Sequence, residues 1–221
     1  MRYVDPRGKI WEDSQRAREL EEGVITRIGD LITNSILSQM ILDLGGVSGA
    51  ELKQLNEKMA YSYERIEKLQ QSILDISLLE ADLNNIYTIN FIAGGYHFVH
   101  KENNEKILID ASSNAFALHE IAHVRQGLMA GGLRFSGKKL VNAGAYHYTN
   151  VMDGIESISN MEVEAYRIQH AYDESFYLPV RRLSEINIDS VGNMRDGANE
   201  YVYDLIHKYS EYQKKKEFLI K

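Results

Sequence analysis

The sequence predicts an α+β fold that is mainly helical, with a small antiparallel sheet and an N-terminal helical hairpin. Two observations lead to this prediction. The chain of 221 residues has only two prolines, Pro6 and Pro179, and long stretches rich in Leu, Ile and Glu lie between them. Near Asn84 the apolar spacing changes from the helical period to short stretches rich in β-branched and aromatic residues, which is typical of strands.

The first half of the chain is predicted to form two long helices joined by a glycine-rich turn. The first helix is expected over 12–42, and the turn follows at 44–49. Ser48 and Glu51 have the spacing of a capping box, so a second helix should begin there. Apolar residues of that helix follow a heptad seam, as in an antiparallel helical hairpin. The seam consists of Leu52, Leu55, Met59, Ile66, Leu69, Ile73, Ile76 and Leu83. Structural core is the simpler interpretation of the hairpin, and an interaction arm is the alternative.

The second half is predicted to hold the sheet and the remaining helices, with an irregular segment at 133–150. The strands are expected at 86–92, 96–100 and 106–110. The helices are expected at 113–129, 160–173 and 197–216. The resulting division of the chain is a junction segment at 1–11, the hairpin at 12–84 and a second domain at 85–221.

Composition restricts the chemistry. No run of about 18 apolar residues could span a membrane, and the net charge of −7 argues against non-specific nucleic-acid binding, which requires a basic face. The absence of cysteine excludes disulfides and cysteine zinc sites, so any metal must be held by His, Asp or Glu. The first residues lack the apolar segment of a secretory signal. The compartment therefore stays open, and a signal for export would belong to a longer parent chain.

One stretch, FALHEIAHVRQG at 116–127, carries the strongest chemical signal. His119 and His123 are four residues apart, so on a helix both imidazoles face a common point. Glu120 lies one step round the helix, where it can act on a ligand of a metal without binding the metal itself. This is the H-E-x-x-H arrangement, with the Glu as general base. The simpler alternative is a solvated helix with two incidental histidines. It is disfavoured because the helix is amphipathic and directly follows the strand-like KILID.

A zinc site of this type needs a third ligand elsewhere in the chain. No histidine follows at the spacing of the longer H-E-x-x-H-x-x-G-x-x-H motif, because Gln126 stands three residues after His123. A carboxylate on a later helix is therefore expected. Glu162 and Glu164 are the candidates, and since they lie about 200° apart round a helix, only one of them can face the metal.

The HEIAH stretch followed by EVEAY resembles the zincin metallopeptidases of the gluzincin type, in which a later helix supplies a Glu from an ExxxD or ExxA pattern. The resemblance implies a zincin-like metallopeptidase core. Matched by position, it implies Glu162 as the third ligand and leaves Glu164 as an outward, solvated carboxylate. Tyr166 stands where many of these enzymes have Asp, so the support of a ligand histidine would differ here.

The same resemblance implies a Zn²⁺ peptidase acting on a protein or peptide substrate. His119, His123 and Glu162 would hold Zn²⁺ with a position open for water, whose pKa zinc would lower to about 7. Glu120 would be the general base. A further side chain would stabilise the oxyanion. The candidates for that role are Tyr146, His147, Tyr148, Tyr166 and His170.

The N-terminal RYVDPRG at 2–8 resembles the VDPxG signature that closes the repeat core of bacterial Rhs-type polymorphic toxin proteins, where a variable effector domain follows. EVEAYRIQHAYDESFYLPV resembles metallopeptidase-like tails of such proteins. This resemblance implies a secreted effector or toxin domain, with a cognate immunity protein as a partner. One alternative is a self-processing peptidase that cuts its own parent chain. Another is a non-catalytic, zinc-stapled binding module, which Glu120 argues against because a structural site has no use for it.

Overall fold

The computed structural model describes residues 14–94, 97–103, 105–146, 151–176 and 180–192. The helices are α1 Ser14–Leu44, α2 Gly49–Ala81, α3 Asn114–Met129, α4 Val151–Tyr172 and α5 Ile188–Gly192. The strands are β1 Ile86–Phe91, β2 Phe98–Lys101, β3 Lys106–Ala111, β4 Phe135–Ser136 and β5 Lys139–Leu140. The protein is thus mainly helical with a small sheet, as predicted. The Rhs-like stretch at 2–8 and the helix expected at 197–216 lie outside the described residues.

Helices α1 and α2 form the predicted hairpin, and its turn follows from local chemistry. Ser48 is the N-cap of α2: its Oγ accepts a hydrogen bond from the Glu51 amide, and the Glu51 carboxylate accepts one from the Ser48 amide. Gly45 and Gly46 have φ values of 74° and 80°, in the left-handed region that glycine adopts at little cost. The expected capping box is therefore present, and α2 begins directly after Ser48.

The predicted heptad seam is buried only from Ile66 to Ile76 and not at its two ends. Its buried members are Ile66, Leu69 and Ile76. Leu52 and Leu83, towards the two ends of the seam, are 46% and 75% exposed. The same helix also buries two charged residues, Arg65 and Asp75, which the apolar pattern does not predict. Buried charges require partners, and those partners lie on the later helices.

The sheet is mixed, so the prediction of an antiparallel sheet is wrong at one edge. The strand order is β1-β3-β2-β5-β4. Strand β1 runs parallel to β3, while β2 with β3, β2 with β5, and β4 with β5 are antiparallel. Strand β3 lies between β1 and β2, although it follows both of them in the sequence. It runs in the same direction as β1 and opposite to β2. Strand periodicity does not report which strands become neighbours, and for that reason the sequence pattern misses this arrangement.

The segment predicted to be irregular, 133–150, contains the two short strands β4 and β5 and a 3-10 turn at Ala143–Ala145. Strands of two residues are too short to give a periodic signal. Helix α4 begins at Val151, earlier than the predicted start at residue 160. Residues 147–150 lie outside the described part of the chain.

Helix α3 lies at the centre of the molecule. It packs against the sheet, α2 and α4, and Ala117, Ile121 and Val124 on it are fully buried. One face of the sheet contributes alternating residues to the same hydrophobic cluster. These residues are Tyr87, Ile89, Val99, Ile107 and Ile109. Among the helices within the described ranges, none is both long and apolar enough to cross a membrane.

Candidate metal centre

Helices α3 and α4 bring the predicted site residues together. Ser113 caps α3, its Oγ accepting from the Phe116 amide, so the helix begins at Asn114, three residues after β3 ends. This start places His119 and His123 one turn apart on the helix face that meets α4. Glu162 of α4 lies opposite both histidines. The group formed by His119, His123 and Glu162 could hold a metal ion.

The distances within this group fit a tetrahedral ion. The Nε2 atoms of His119 and His123 are 3.2 Å apart. Oε2 of Glu162 lies 3.3 Å from Nε2 of His123 and 3.7 Å from Nε2 of His119. A tetrahedral zinc with bonds of about 2.0–2.1 Å places neighbouring ligand atoms about 3.4 Å apart. Two imidazoles and a carboxylate at this spacing are a donor set that zinc accepts.

The charges of His123 and Glu162 stabilise each other. Burial acts to lower the pKa of His123, but the Glu162 carboxylate, together with Glu120 and the contact with Gln126, raises that pKa to about 9. Burial acts to raise the pKa of Glu162, but the positive charge of His123 and the hydrogen bonds from both histidines hold it far below its usual range. The ionised carboxylate thus attracts a cation, and a proton on His123 and a divalent metal ion compete for the same position.

A hydrogen bond fixes which nitrogen of His123 faces the group. Nδ1 of His123 lies 2.9 Å from Oε1 of Gln126. The Gln126 amide nitrogen donates to the Met161 carbonyl and to Glu164, so its oxygen is the atom left for His123. Nδ1 therefore carries a proton, and Nε2, the atom directed towards Glu162 and His119, is the one that either a second proton or a metal ion can occupy.

Glu162 also accepts a hydrogen bond from Asn142, a contact that the sequence does not predict. Its Oε1 accepts a hydrogen bond of 2.9 Å from Nδ2 of Asn142, while Oε2 faces the histidines. Asn142 itself precedes the 3-10 turn and accepts a hydrogen bond from the Gly144 amide. One oxygen of the carboxylate is thereby held and the other is left for a metal.

Glu164 is not the solvated carboxylate that the sequence leads us to expect. It accepts from Gln126 and forms a 2.8 Å ion pair with Arg125. Burial acts to raise the pKa of Glu164, but the hydrogen bond from Gln126 and the charge of Arg125 lower it overall. Glu162 rather than Glu164 therefore faces the two histidines.

Glu120 is buried and lines the same cavity as the histidines. Burial raises the pKa of its carboxyl, aided by the carboxylates of Glu162 and Asp110 and opposed by His119 and His123. A carboxylate with a raised pKa beside a metal can accept a proton and release it again.

The cavity at the group has a volume of about 550 Å³. Its apolar walls come from the sheet, from α3 and from α4. They consist of Phe98, Val99, Phe116, Leu140, Val141 and Ile158. The other lining residues are mostly polar or charged and include His97, Lys139 and Gln169 besides the three possible ligands and Glu120. A concave site with convergent polar groups between apolar walls is typical of a pocket that binds a ligand.

The candidates for stabilising an oxyanion differ in position. Tyr166 lines the cavity and contacts His119 edge to face, with ring centroids 4.6 Å apart. The Tyr146 hydroxyl accepts from the Arg134 amide, and His170 contacts Tyr61; neither lines the cavity. His147 and Tyr148 lie outside the described residues. Among the described candidates, Tyr166 is therefore the one that lines the cavity.

Gln126 and Asn142 are the site residues that sequence reasoning misses. Gln126 stands three residues after His123 on a helix, and this spacing is itself a usable signal for contact. Asn142 lies in a segment without periodicity and carries no such signal. Comparison of the chain with protein-family models, curated proteins and solved structures finds no match.

Proposed function

We propose that this protein is a zinc-dependent peptidase whose metal ligands are His119, His123 and Glu162. The proposal is carried by one observation: three ligand atoms from two helices converge at tetrahedral spacing, with the buried carboxyl of Glu120 in the same cavity. A non-catalytic metal site has no need of such a carboxyl or of an open cavity beside it.

When bound, Zn²⁺ supplies Lewis acidity and a water molecule with a pKa of about 7. Residues of the chain transfer the proton, orient the metal ligands and stabilise the oxyanion. Glu120 takes the proton from the attacking water at its carboxylate and passes it to the leaving amine, a role that its raised pKa suits. Asn142 and Gln126 hold Glu162 and His123 in orientation. Tyr166 is placed to donate to the developing oxyanion from the cavity wall.

The biological setting follows from the Rhs-like resemblance of residues 2–8 and is part of the same proposal. The domain acts as the effector of a larger bacterial protein, its substrate is a protein or peptide, and an immunity protein is its cognate partner. The cavity lining combines apolar residues with polar and charged ones, which suits a peptide with its polar backbone and mixed side chains.

The test combines zinc content with cleavage of a denatured protein substrate. We expect about one zinc per chain and cleavage that a chelator abolishes and added zinc restores. Glu120→Gln should keep the zinc and lose about 10²-fold or more of the cleavage rate. Glu156→Gln, an exposed carboxylate on α4, is the matched control and should behave as wild type.

Two results would contradict the proposal. Wild-type protein that binds no zinc would exclude the metal centre. Full cleavage by Glu120→Gln would exclude the mechanism. Stoichiometric zinc without cleavage of a broad peptide library would instead favour a zinc-stapled binding module.

A further inference from the structure

A line of polar contacts runs from the ligand His123 away from the cavity. Its first member is Gln126, whose Oε1 lies 2.9 Å from Nδ1 of His123. The Gln126 amide nitrogen donates to Glu164 on α4 at 2.9 Å. It also donates to the Met161 carbonyl at 3.0 Å, so the orientation of the Gln126 amide towards His123 is set by two acceptors, of which Glu164 is the side chain.

Glu164 is held in turn by Arg125. Nη2 of Arg125 lies 2.8 Å from Oε1 of Glu164, whose other oxygen accepts from Gln126. The Arg125 side chain is only 11% exposed. A buried guanidinium needs partners on its other nitrogens as well, and it finds one on the helical hairpin.

That partner is Asp75 of α2. Nε of Arg125 lies 3.2 Å from Oδ2 of Asp75, an ion pair by distance. Oδ1 of Asp75 accepts a 2.7 Å hydrogen bond from Gln71 on the same helix. The side chain of Asp75 is 2% exposed, so this charge is removed from water and relies on Arg125 and Gln71.

We infer that Asp75 of the hairpin is a positioning residue for the metal ligand His123, acting through Arg125, Glu164 and Gln126. The inference rests on the metal centre proposed above. It gives the hairpin a role in the site: α2 fixes Arg125 from one side while α4 supplies Glu164 from the other. Groups that orient a metal ligand from outside its coordination shell commonly change metal affinity when they are replaced.

Alternating charge explains why the contacts act together. Asp75 and Glu164 are carboxylates on different helices, and the positively charged guanidinium of Arg125 lies between them and pairs with both. Removing one acid leaves Arg125 with a single ionic partner in a buried position, where an uncompensated charge is costly. Arg125 and Glu164 then shift to recover solvation, and the Gln126 amide keeps only its hydrogen bond to the Met161 carbonyl, so its orientation towards His123 is less well fixed.

The experiment measures zinc affinity by competition with a chelator, and cobalt absorption spectra as a readout of ligand geometry. Gln126→Ala should weaken zinc binding by about tenfold or more. Asp75→Asn, which keeps the shape of the side chain, should weaken it by about threefold or more, with an altered cobalt spectrum. The matched control is Glu64→Gln, also on α2, whose carboxylate bonds the Leu183 amide instead. This control should leave zinc affinity and the cobalt spectrum unchanged.

A double-mutant cycle separates positioning from general destabilisation. In the Gln126→Ala background, Asp75→Asn should cause no further loss of zinc affinity, because the path to His123 is already cut. Asp75→Asn that lowers the stability of the metal-free protein while leaving zinc affinity and the cobalt spectrum unchanged would overturn the inference, as would additive effects in the cycle. Wild-type protein without zinc would overturn the proposed function itself, a result that the variants cannot mimic.

Discussion

The side-chain amide of Asn142 binds one oxygen of Glu162 and leaves the other facing the two histidines. Its Nδ2 donates to Oε1 at 2.9 Å, and Oε2 is left 3.3 Å from Nε2 of His123. The acceptor side of the same amide takes a hydrogen bond from the Gly144 backbone. One side chain therefore links the carboxylate of α4 to the 3-10 turn.

This relationship predicts that Asn142→Asp weakens zinc binding more than Asn142→Ala. Asp keeps an acceptor for the Gly144 amide but places a negative charge against Glu162, whereas Ala only removes the donor. We expect about tenfold weaker zinc affinity for Ala and a larger loss for Asp, measured by chelator competition. Unchanged affinity in both variants would show that Asn142 does not orient the ligand.

A second prediction distinguishes the two carboxylates of α4. Glu162→Ala should lose stoichiometric zinc, because it removes one of three ligands. Glu164→Gln should retain it with at most about tenfold weaker affinity, because Glu164 acts only through Gln126. Metal analysis after dialysis against zinc-free buffer decides the matter. Zinc that persists in Glu162→Ala would remove Glu162 from the ligand set.

Sequence patterns predict the parts of this protein that depend on local spacing. The capping box of Ser48 and the shared helix face of His119 and His123 are set within a few residues, and both are present in the structure. The parallel pairing of β1 with β3 joins two segments whose sequences do not indicate that they become neighbours. The same holds for the contacts of Asp75 with Arg125 and of Asn142 with Glu162, because a polar residue does not specify its distant partner.

Gly144 provides a third prediction, which concerns the packing of the 3-10 turn on α4. A Cβ at Gly144 would lie 2.4 Å from the backbone nitrogen of Ile158 and 2.5 Å from the carbonyl carbon of Ser157. Backbone atoms cannot yield as a flexible side chain can, so Gly144→Ala must move the turn, and Asn142 with it. We expect a loss of about 1–3 kcal/mol or more in unfolding free energy and weaker zinc binding.

Urea denaturation of the metal-free protein measures the stability change of Gly144→Ala. Gly29→Ala on α1 is its control, since a Cβ there meets nothing within 4 Å. Alanine is favoured over glycine in a helix by about 1 kcal/mol, so the control should be neutral or slightly stabilised. Equal behaviour of the two variants would contradict the close approach of the turn to α4.

The last prediction concerns His170, where α4 meets the hairpin. Its Nε2 lies 2.7 Å from the Tyr61 hydroxyl, and the residue is 1% exposed. Burial first, and then the charge of Arg65, lower the pKa of His170 from its ordinary 6.5 to about 4, against a raising influence of Asp173. Because the unfolded chain takes up this proton at higher pH than the folded chain, the stabilisation is complete above pH 6.5. It is lost as the pH falls from 6.5 towards 4.

His170→Gln should reduce this dependence, since the amide can still contact Tyr61 but does not titrate. Between pH 7 and pH 5 the wild-type protein should lose about 1–2 kcal/mol more unfolding free energy than the variant. The measurement is urea denaturation with chelator present at both pH values, so that the histidines of the metal centre contribute equally to the two proteins. A variant that loses as much stability as the wild type over this interval would show that His170 titrates normally in the folded state.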